Sequence, residues 1–254
     1  MPSDPNASRI DAIPTQWSLI RDAHAGGAPQ TAAVARQALV LRYAKSIRRY
    51  VGGIVKQADD ADELAQDVIV RLMKGDFGGA DPTRGRFRDL LKTAVRNMVH
   101  NHWAKSKRRK TADAELDLVA GTDDPDPAWE SEFQLNILDH AWAALKAFEK
   151  ATPTNPAHTV MKLRTEFPDA TSEELAEKLG AKLGKPVRAD ACRQMLRRAR
   201  LKFAEALVDE VRMGLADSSP GRVAEELAHL GLLEYVKDFL PDDWTTGGKL
   251  AEGG

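Results

Sequence analysis

Residues 84–110 constrain the fold more than any other stretch of the chain, because their apolar and basic side chains separate onto opposite faces of one helix. The apolar set has the i, i+3, i+4, i+7 spacing of a core-facing stripe, namely Phe87, Leu90, Leu91, Ala94, Val95, Met98 and Val99. The opposite face carries Arg88, Lys92, Arg96 and His100. The stretch holds ten Lys or Arg residues and one acid, although the net charge of the chain is −1. This imbalance predicts a polyanionic partner, most commonly nucleic acid.

The composition predicts a soluble, helix-rich protein in the cytoplasm. Of the 254 residues, 43% are hydrophobic and 30% are charged, which is enough for real cores beneath a polar surface. No apolar run approaches the roughly 18 residues of a membrane span, and residues 1–15 do not resemble a signal peptide, so we expect no membrane insertion. The single cysteine, Cys192, excludes an intrachain disulfide and a cysteine zinc site, and its apolar helix face predicts a buried packing residue.

Helical patterns on both sides of an acidic stretch predict an all-α fold of two small domains. The first domain, 13–110, would be a four-helix bundle: a short helix after residue 13, a helix over about 31–54, one from near Asp60, and the basic helix after a Gly-rich loop at 74–85. Residues 111–128 predict a linker, since positions 111–139 carry nine acids and no Lys or Arg. The second domain, 129–212, has helical patterns over about 129–150, 156–167 and 171–183 and from near Asp190. For residues 213–254 the pattern predicts an extension with one amphipathic helix over 223–240 and a flexible Gly-rich end.

The pattern of residues 171–207 is typical of a helix-turn-helix. Thr171 and Glu174 predict a capping box, and the turn over 184–187 precedes a helix whose apolar face would be Cys192, Met195, Leu196, Ala199, Phe203 and Ala206. The other face carries Asp190, Arg193, Gln194 and Arg197. In such a motif the second helix enters the major groove, where Arg reads guanine and Gln reads adenine, while Arg198, Arg200 and Lys202 suit phosphates. A merely solvated basic helix is the alternative.

Two further sets of residues each allow a functional and a structural interpretation. Trp103 lies near the Lys92 and Arg96 side of the basic helix, which fits base stacking on single-stranded nucleic acid or the rim of the core. His102 fits a core histidine, and His100 and His102 diverge too far around the helix to form a metal pair. The acids at Asp59, Asp60, Asp62, Glu63 and Asp67 fit either a docking surface for a basic partner or a solvated helix start.

Phosphate-loop, metalloprotease and hydrolase motifs are absent from the sequence, so we expect no metal, no cofactor and no enzymatic activity.

Three segments, in this order, resemble the bacterial RNA polymerase sigma factors of the extracytoplasmic-function (ECF) group. DADELAQDVIVRLM resembles region 2.2, and FRDLLKTAVRNMVHNHWAKSKRRK resembles regions 2.3 and 2.4 with the Ala-x-Arg-Asn step at 94–97. TSEELAEKLG and ACRQMLRRARLKF together resemble region 4.2, with Arg-Ala-Arg at 198–200. The likeness covers roughly residues 15–110 and 130–212.

The resemblance implies a two-domain initiation factor whose partners are core RNA polymerase and promoter DNA, with an anti-sigma factor as a further possible partner. It implies contacts to the β′ clamp helices through Asp62, Glu63, Gln66 and Asp67, and to the β flap through region 4. It implies that the first domain melts and reads the −10 element, with a flipped base in the 74–85 loop, through Phe77, Arg86, Arg88, Lys92, Arg96, Asn97, His100, Trp103, Lys107 and Arg108. It implies that the second domain docks on the −35 element through Arg188, Arg193, Gln194, Arg197 and Arg198.

Two alternative functions follow from the residues alone. A helix-turn-helix regulator that binds duplex DNA without polymerase would be a dimer on a two-fold operator, and residues 223–240 offer the one candidate dimer helix. An enzyme acting on nucleic acid would require clustered metal ligands or catalytic groups, which the sequence does not suggest.

Overall fold

Every regular element that the structure describes is a helix, as the all-α prediction required. The structure is a computed structural model in which residues 29–74, 86–110, 127–215 and 217–239 are described. The helices are α1 Pro29–Ile54, α2 Ala58–Lys74, α3 Phe87–Lys110, α4 Pro127–Ala151, α5 Ala157–Glu166, α6 Ser172–Leu183, α7 Ala189–Met213, α8 Pro220–His229 and α9 Leu233–Val236, followed by a 3₁₀ turn, Lys237–Phe239. The helix predicted after residue 13, the loop at 75–85 and residues 111–126 of the linker lie outside the described residues.

The contacts divide the chain into two units. Unit 1 spans residues 1–136 and 212–218, and unit 2 spans residues 137–211 and 219–254. The boundary at residues 136 and 137 falls inside α4, whereas the sequence prediction assigned that whole helix to the second domain. The first ten residues of α4 therefore group with α1, α2 and α3.

The core of unit 1 is built from three amphipathic helices. Along each of α1, α2 and α3, buried apolar side chains recur every three or four residues. They are Leu39, Tyr43, Ile47, Tyr50, Leu64, Val68, Leu72, Phe87, Leu91, Val95 and Val99. The start of α2 carries Asp59 and Asp60, where carboxylates stabilise the positive end of the helix. Two apolar residues of α1 lie outside this buried stripe, since Val34 is 66% and Leu41 72% exposed.

The start of α4 completes the core of unit 1 with two aromatic side chains. Trp129 is buried with its ring 5.0 Å from the Tyr50 ring in an edge-on geometry. Phe133 is buried with its ring 6.1 Å from that of Tyr43, nearly parallel to it. Such ring pairs contribute about 0.5–1.5 kcal/mol each beyond the burial of apolar area, so this segment is firmly part of unit 1.

Unit 2 forms around the helix-turn-helix that the sequence predicted. Its core cluster joins α4, α5, α6 and α7 through Leu145, Ala157, Val160, Leu163, Leu175, Ala176, Leu179, Cys192, Leu196 and Ala199. Cys192 is buried as predicted, and burial raises the pKa of its thiol, which keeps the group neutral and unreactive.

Residues 220–239 form two short helices where the sequence pattern predicted one. Gly231 has a φ of 66° and separates α8 from α9. This left-handed conformation favours glycine and ends α8. Val223, Leu227, Leu232 and Val236 are buried on the two helices, so this part of the C-terminal extension is folded within unit 2.

Candidate nucleic-acid and polymerase interfaces

The basic face of α3 presents polar and aromatic groups to solvent. Lys92, Arg96 and His100 are half-buried and Asn97 is exposed. Trp103 is 44% exposed, and its ring meets the His100 ring edge-on with 5.6 Å between the ring centroids, so a large part of the indole faces solvent. An exposed indole on the basic face of a helix is suited to stacking on unpaired bases.

Several residues of the predicted −10 set cannot be placed by their side chains. Phe77 lies outside the described residues, and the side chains of Lys107 and Arg108 are likewise not described, although the α3 backbone continues to Lys110. Arg86 is half-buried just before α3, with its Nε 3.9 Å from the Asp89 carboxylate.

Arg88 is not exposed to solvent, contrary to the helical-wheel prediction, because residues of α4 cover its side chain. Its side chain is 2% exposed, and its guanidinium lies 5.6 Å from the centre of the Phe133 ring. Its Nη2 is 3.7 Å from Oε2 of Glu130, and its Nε is 3.7 Å from Oδ1 of Asp89. Because this environment encloses the guanidinium, the Arg88 side chain is not presented to DNA in this conformation.

His102 links α3 to α2 and is not a core residue. Its Nε2 lies 3.4 Å from Oδ2 of Asp60, and both side chains are partly exposed. A partly exposed contact of this kind adds little to stability. The buried apolar side chains of α2 and α3 keep the two helices in one bundle, so both charged faces belong to the same unit.

The acidic face of α2 is available to a partner. Asp62, Glu63, Gln66 and Asp67 are all exposed, and the same side of the helix continues with the exposed apolar residues Val70 and Met73. Within the described ranges, no group of three or more His, Cys, Asp or Glu side chains could hold a metal ion. A row of carboxylates followed by apolar side chains is complementary to a protein surface that carries basic residues next to apolar ones.

Local hydrogen bonds fix both ends of α6, the first helix of the helix-turn-helix in unit 2. The Thr171 hydroxyl accepts a hydrogen bond from the Glu174 N–H at 3.2 Å, and the Glu174 carboxylate accepts one from the Thr171 N–H at 2.8 Å, so the predicted capping box is confirmed. Gly184 closes α6 with a φ of 66°, and its N–H donates to the Gly180 carbonyl. The Lys185 N–H donates to the same carbonyl at 3.2 Å, which sets the direction of the turn.

The second helix of this motif displays the predicted polar set. Arg193, Gln194, Arg197 and Arg198 are exposed on α7. The Arg188 side chain is 86% exposed and lies one residue before α7, with its Nε 3.3 Å from Oδ1 of Asp190. The structure thus brings the five predicted −35 residues to the first half of one helix and the turn before it.

Sequence reasoning missed Glu130, Glu132 and Phe133, the residues of α4 that cover part of α3 and α1. Glu132 pairs with Arg49 of α1 at 2.6 Å, and Glu130 and Phe133 surround Arg88. The signal in the sequence is the pair of acids, Glu130 and Glu132, between the aromatic residues Trp129 and Phe133, in a segment that the sequence prediction assigned to the second domain.

Residues 39–109 match the family model described as Sigma-70 region 2. The matched range runs from α1 through α2 to the penultimate residue of α3, so it contains both the acidic and the basic face. No curated protein and no solved structure matches the chain. The match supports a sigma factor of the sigma-70 family, with a role in promoter-specific transcription initiation and with core RNA polymerase and promoter DNA as partners. Across the described parts of the chain, no helix is long and apolar enough to cross a membrane.

Proposed function

We propose that this chain is a sigma factor of the ECF group that binds core RNA polymerase, melts and reads the −10 element and docks on the −35 element. The observation that carries the proposal is the match of residues 39–109 to sigma-70 region 2, since this range holds an exposed acidic helix face and a basic helix face on one bundle.

The acidic face of α2 is the proposed polymerase contact. Asp62, Glu63, Gln66 and Asp67 would meet the β′ clamp helices, while the helix-turn-helix unit would meet the β flap. Complementary charge mainly speeds the encounter and excludes wrong partners. The exposed apolar residues Val70 and Met73 at the end of the same face would contribute the buried apolar area that a stable contact needs.

The basic face of α3 is the proposed site for the −10 strand. Arg86, Lys92 and Arg96 supply charge for phosphates, Asn97 supplies an amide for a base edge, and Trp103 supplies a stacking surface. Lys107 and Arg108 would extend the cationic row, and the 74–85 loop with Phe77 would receive a flipped base. Extruding a base costs a few kcal/mol, and stacking returns about 1–3 kcal/mol per base, so the cations and the polymerase must supply the remainder.

The exposed first half of α7 is the proposed reader of the −35 element. Arg193, Gln194 and Arg197 occupy the positions that enter the major groove in helix-turn-helix proteins, and Arg188 and Arg198 flank them. The acidic residues 111–126 would pass through the RNA-exit path of the polymerase, because their negative charge has the same sign as that of the RNA that the path accommodates.

Charge reversal on α2 tests the polymerase contact. Core RNA polymerase is captured on immobilised wild-type chain and on Asp62→Lys and Asp67→Lys variants. Both side chains are exposed, so the substitutions leave the helices intact, and we expect capture to be lost in both. The matched control is Asp238→Lys, an exposed acid in the 3₁₀ turn outside the helix-turn-helix, which should capture polymerase like wild type.

The same experiment separates the competing function. Capture that is unchanged by both α2 variants would refute the assigned docking face. No capture by the wild-type chain, together with tight binding of the free chain to duplex DNA, would instead indicate a stand-alone helix-turn-helix regulator.

A further inference from the structure

The buried position of Arg88 is at odds with its place in the sequence. Arg88 precedes Lys92 and Arg96 by one and two turns, and residues four apart on a helix are separated by about 6 Å along its axis. The three side chains therefore form one row on α3. Lys92 and Arg96 are half-buried, whereas the Arg88 side chain is 2% exposed.

The segment that covers Arg88 is acidic and aromatic. Glu130 places a carboxylate oxygen 3.7 Å from the Arg88 guanidinium, and the Phe133 ring lies 5.6 Å from it. A carboxylate and a π-face are the two groups that guanidinium binds best inside proteins. The distance of 3.7 Å exceeds that of a hydrogen bond, so this contact is weaker than a bidentate arginine–carboxylate pair.

The same segment is anchored to unit 1 independently of Arg88. Glu132 pairs with Arg49 at 2.6 Å, and Trp129 packs on Tyr50. Loss of the contact to Arg88 therefore leaves the segment attached through a second ion pair and an aromatic pair on α1. Neutralising Glu130 therefore changes the contact to Arg88 and leaves the ion pair between Glu132 and Arg49 in place.

We propose that residues 129–133 compete with DNA for Arg88. Glu130 occupies the place of a phosphate, and Arg88 joins the Lys92–Arg96 row when a nucleic-acid phosphate takes over its guanidinium. A phosphate and a carboxylate present the same fork of oxygen atoms to arginine, so a phosphate would replace the long ion pair with Glu130 by a closer charge-assisted contact. The inference deepens the function proposed for α3, because it adds a DNA-binding residue whose availability depends on the start of α4.

Binding of single-stranded DNA by the free, full-length chain tests the competition. Fluorescence anisotropy with a labelled single-stranded oligonucleotide gives the dissociation constant at several salt concentrations. In Glu130→Gln the dissociation constant should fall severalfold at low salt. The slope of log K against log salt should steepen by about 0.7, the value for one added phosphate contact on a single strand.

Two controls assign the change to Arg88. Glu132→Gln removes the closer ion pair of the same segment without touching Arg88, and it should leave the slope unchanged. Arg88→Ala in the Glu130→Gln background should return the slope to the wild-type value. Phe133→Leu, which keeps apolar packing but removes the ring, is a second route to releasing Arg88 and should shift the slope in the same direction.

Three outcomes would overturn the inference: an unchanged slope in both Glu130→Gln and Phe133→Leu, an equal change in Glu132→Gln, or no DNA binding by any variant. Polymerase takes no part in this measurement. Unchanged salt slopes together with normal polymerase capture would refute this inference and leave the proposed function in place. Lost polymerase capture together with the predicted slopes would refute the proposed polymerase contact and leave this inference in place.

Discussion

Substitution of Gly180 by alanine should destabilise the helix-turn-helix, although alanine in place of glycine usually stabilises a helix. A Cβ at Gly180 would lie 3.0 Å from the Lys185 carbonyl oxygen, 3.4 Å from the Val187 nitrogen and 3.7 Å from the Pro186 Cα. All three are backbone atoms of the turn, so none can rotate away. The Gly180 carbonyl also accepts hydrogen bonds from Gly184 and Lys185, so a shift of the turn would strain both bonds.

The magnitude follows from two opposing effects. Replacing glycine by alanine inside a helix stabilises it by about 0.8–1.0 kcal/mol, whereas forcing extra volume into a packed contact costs about 1–3 kcal/mol. The net expectation is a loss of about 1 kcal/mol, which corresponds to a fall of about 4–8 °C in the Tm of a domain of 60–100 residues.

Thermal and urea unfolding followed by circular dichroism would measure the difference. The matched control is Gly52→Ala in α1, where a Cβ would meet no atom within 4 Å, and that variant should be neutral or more stable by up to about 1 kcal/mol. If Gly180→Ala stabilises the chain as Gly52→Ala does, the close approach of the turn to α6 is wrong.

Three further variants test local features of the two units. Thr171→Ala should lower the unfolding free energy by about 1 kcal/mol in urea titrations because it removes the capping box, while Thr171→Ser should be near neutral; equal losses would show that the cap does not stabilise α6. Arg193→Ala should relax base preference at one −35 position by about 1–3 kcal/mol in transcription from a promoter library, and unchanged selectivity would refute the reading role of α7. Trp103→Ala should weaken binding to a single-stranded −10 oligonucleotide by about 1–3 kcal/mol, and Trp103→Phe should keep most of that affinity; a full loss in both variants would argue against stacking.

Features that depend on one helix and its own neighbours in sequence were predictable. The burial of Phe87, Leu91, Val95 and Val99 follows from the 3.6-residue period, because one dominant apolar stripe must face the core. The capping box at Thr171 is likewise a local signal, since its two hydrogen bonds join residues three apart.

Features that depend on distant parts of the chain were not predictable. A helical wheel places Arg88 on the polar side of α3, but it cannot show that Glu130 and Phe133 of another helix cover that side. The sequence prediction placed the whole of α4 in one domain for the same reason. A continuous helix has no break in its sequence at the point where its packing partners change. Val34 and Leu41 are exposed because the apolar residues of α1 extend beyond the stripe that its neighbours cover.

Run-off transcription with core RNA polymerase tests whether the chain is a sigma factor. Core enzyme with and without the full-length chain is given a promoter library, and the transcripts are sequenced from their 5′ ends. We expect stoichiometric capture of polymerase, and transcripts that start at defined distances from shared −10 and −35 elements only when the chain is present. The same transcripts with and without the chain, or no association with core enzyme, would refute the assignment as a sigma factor.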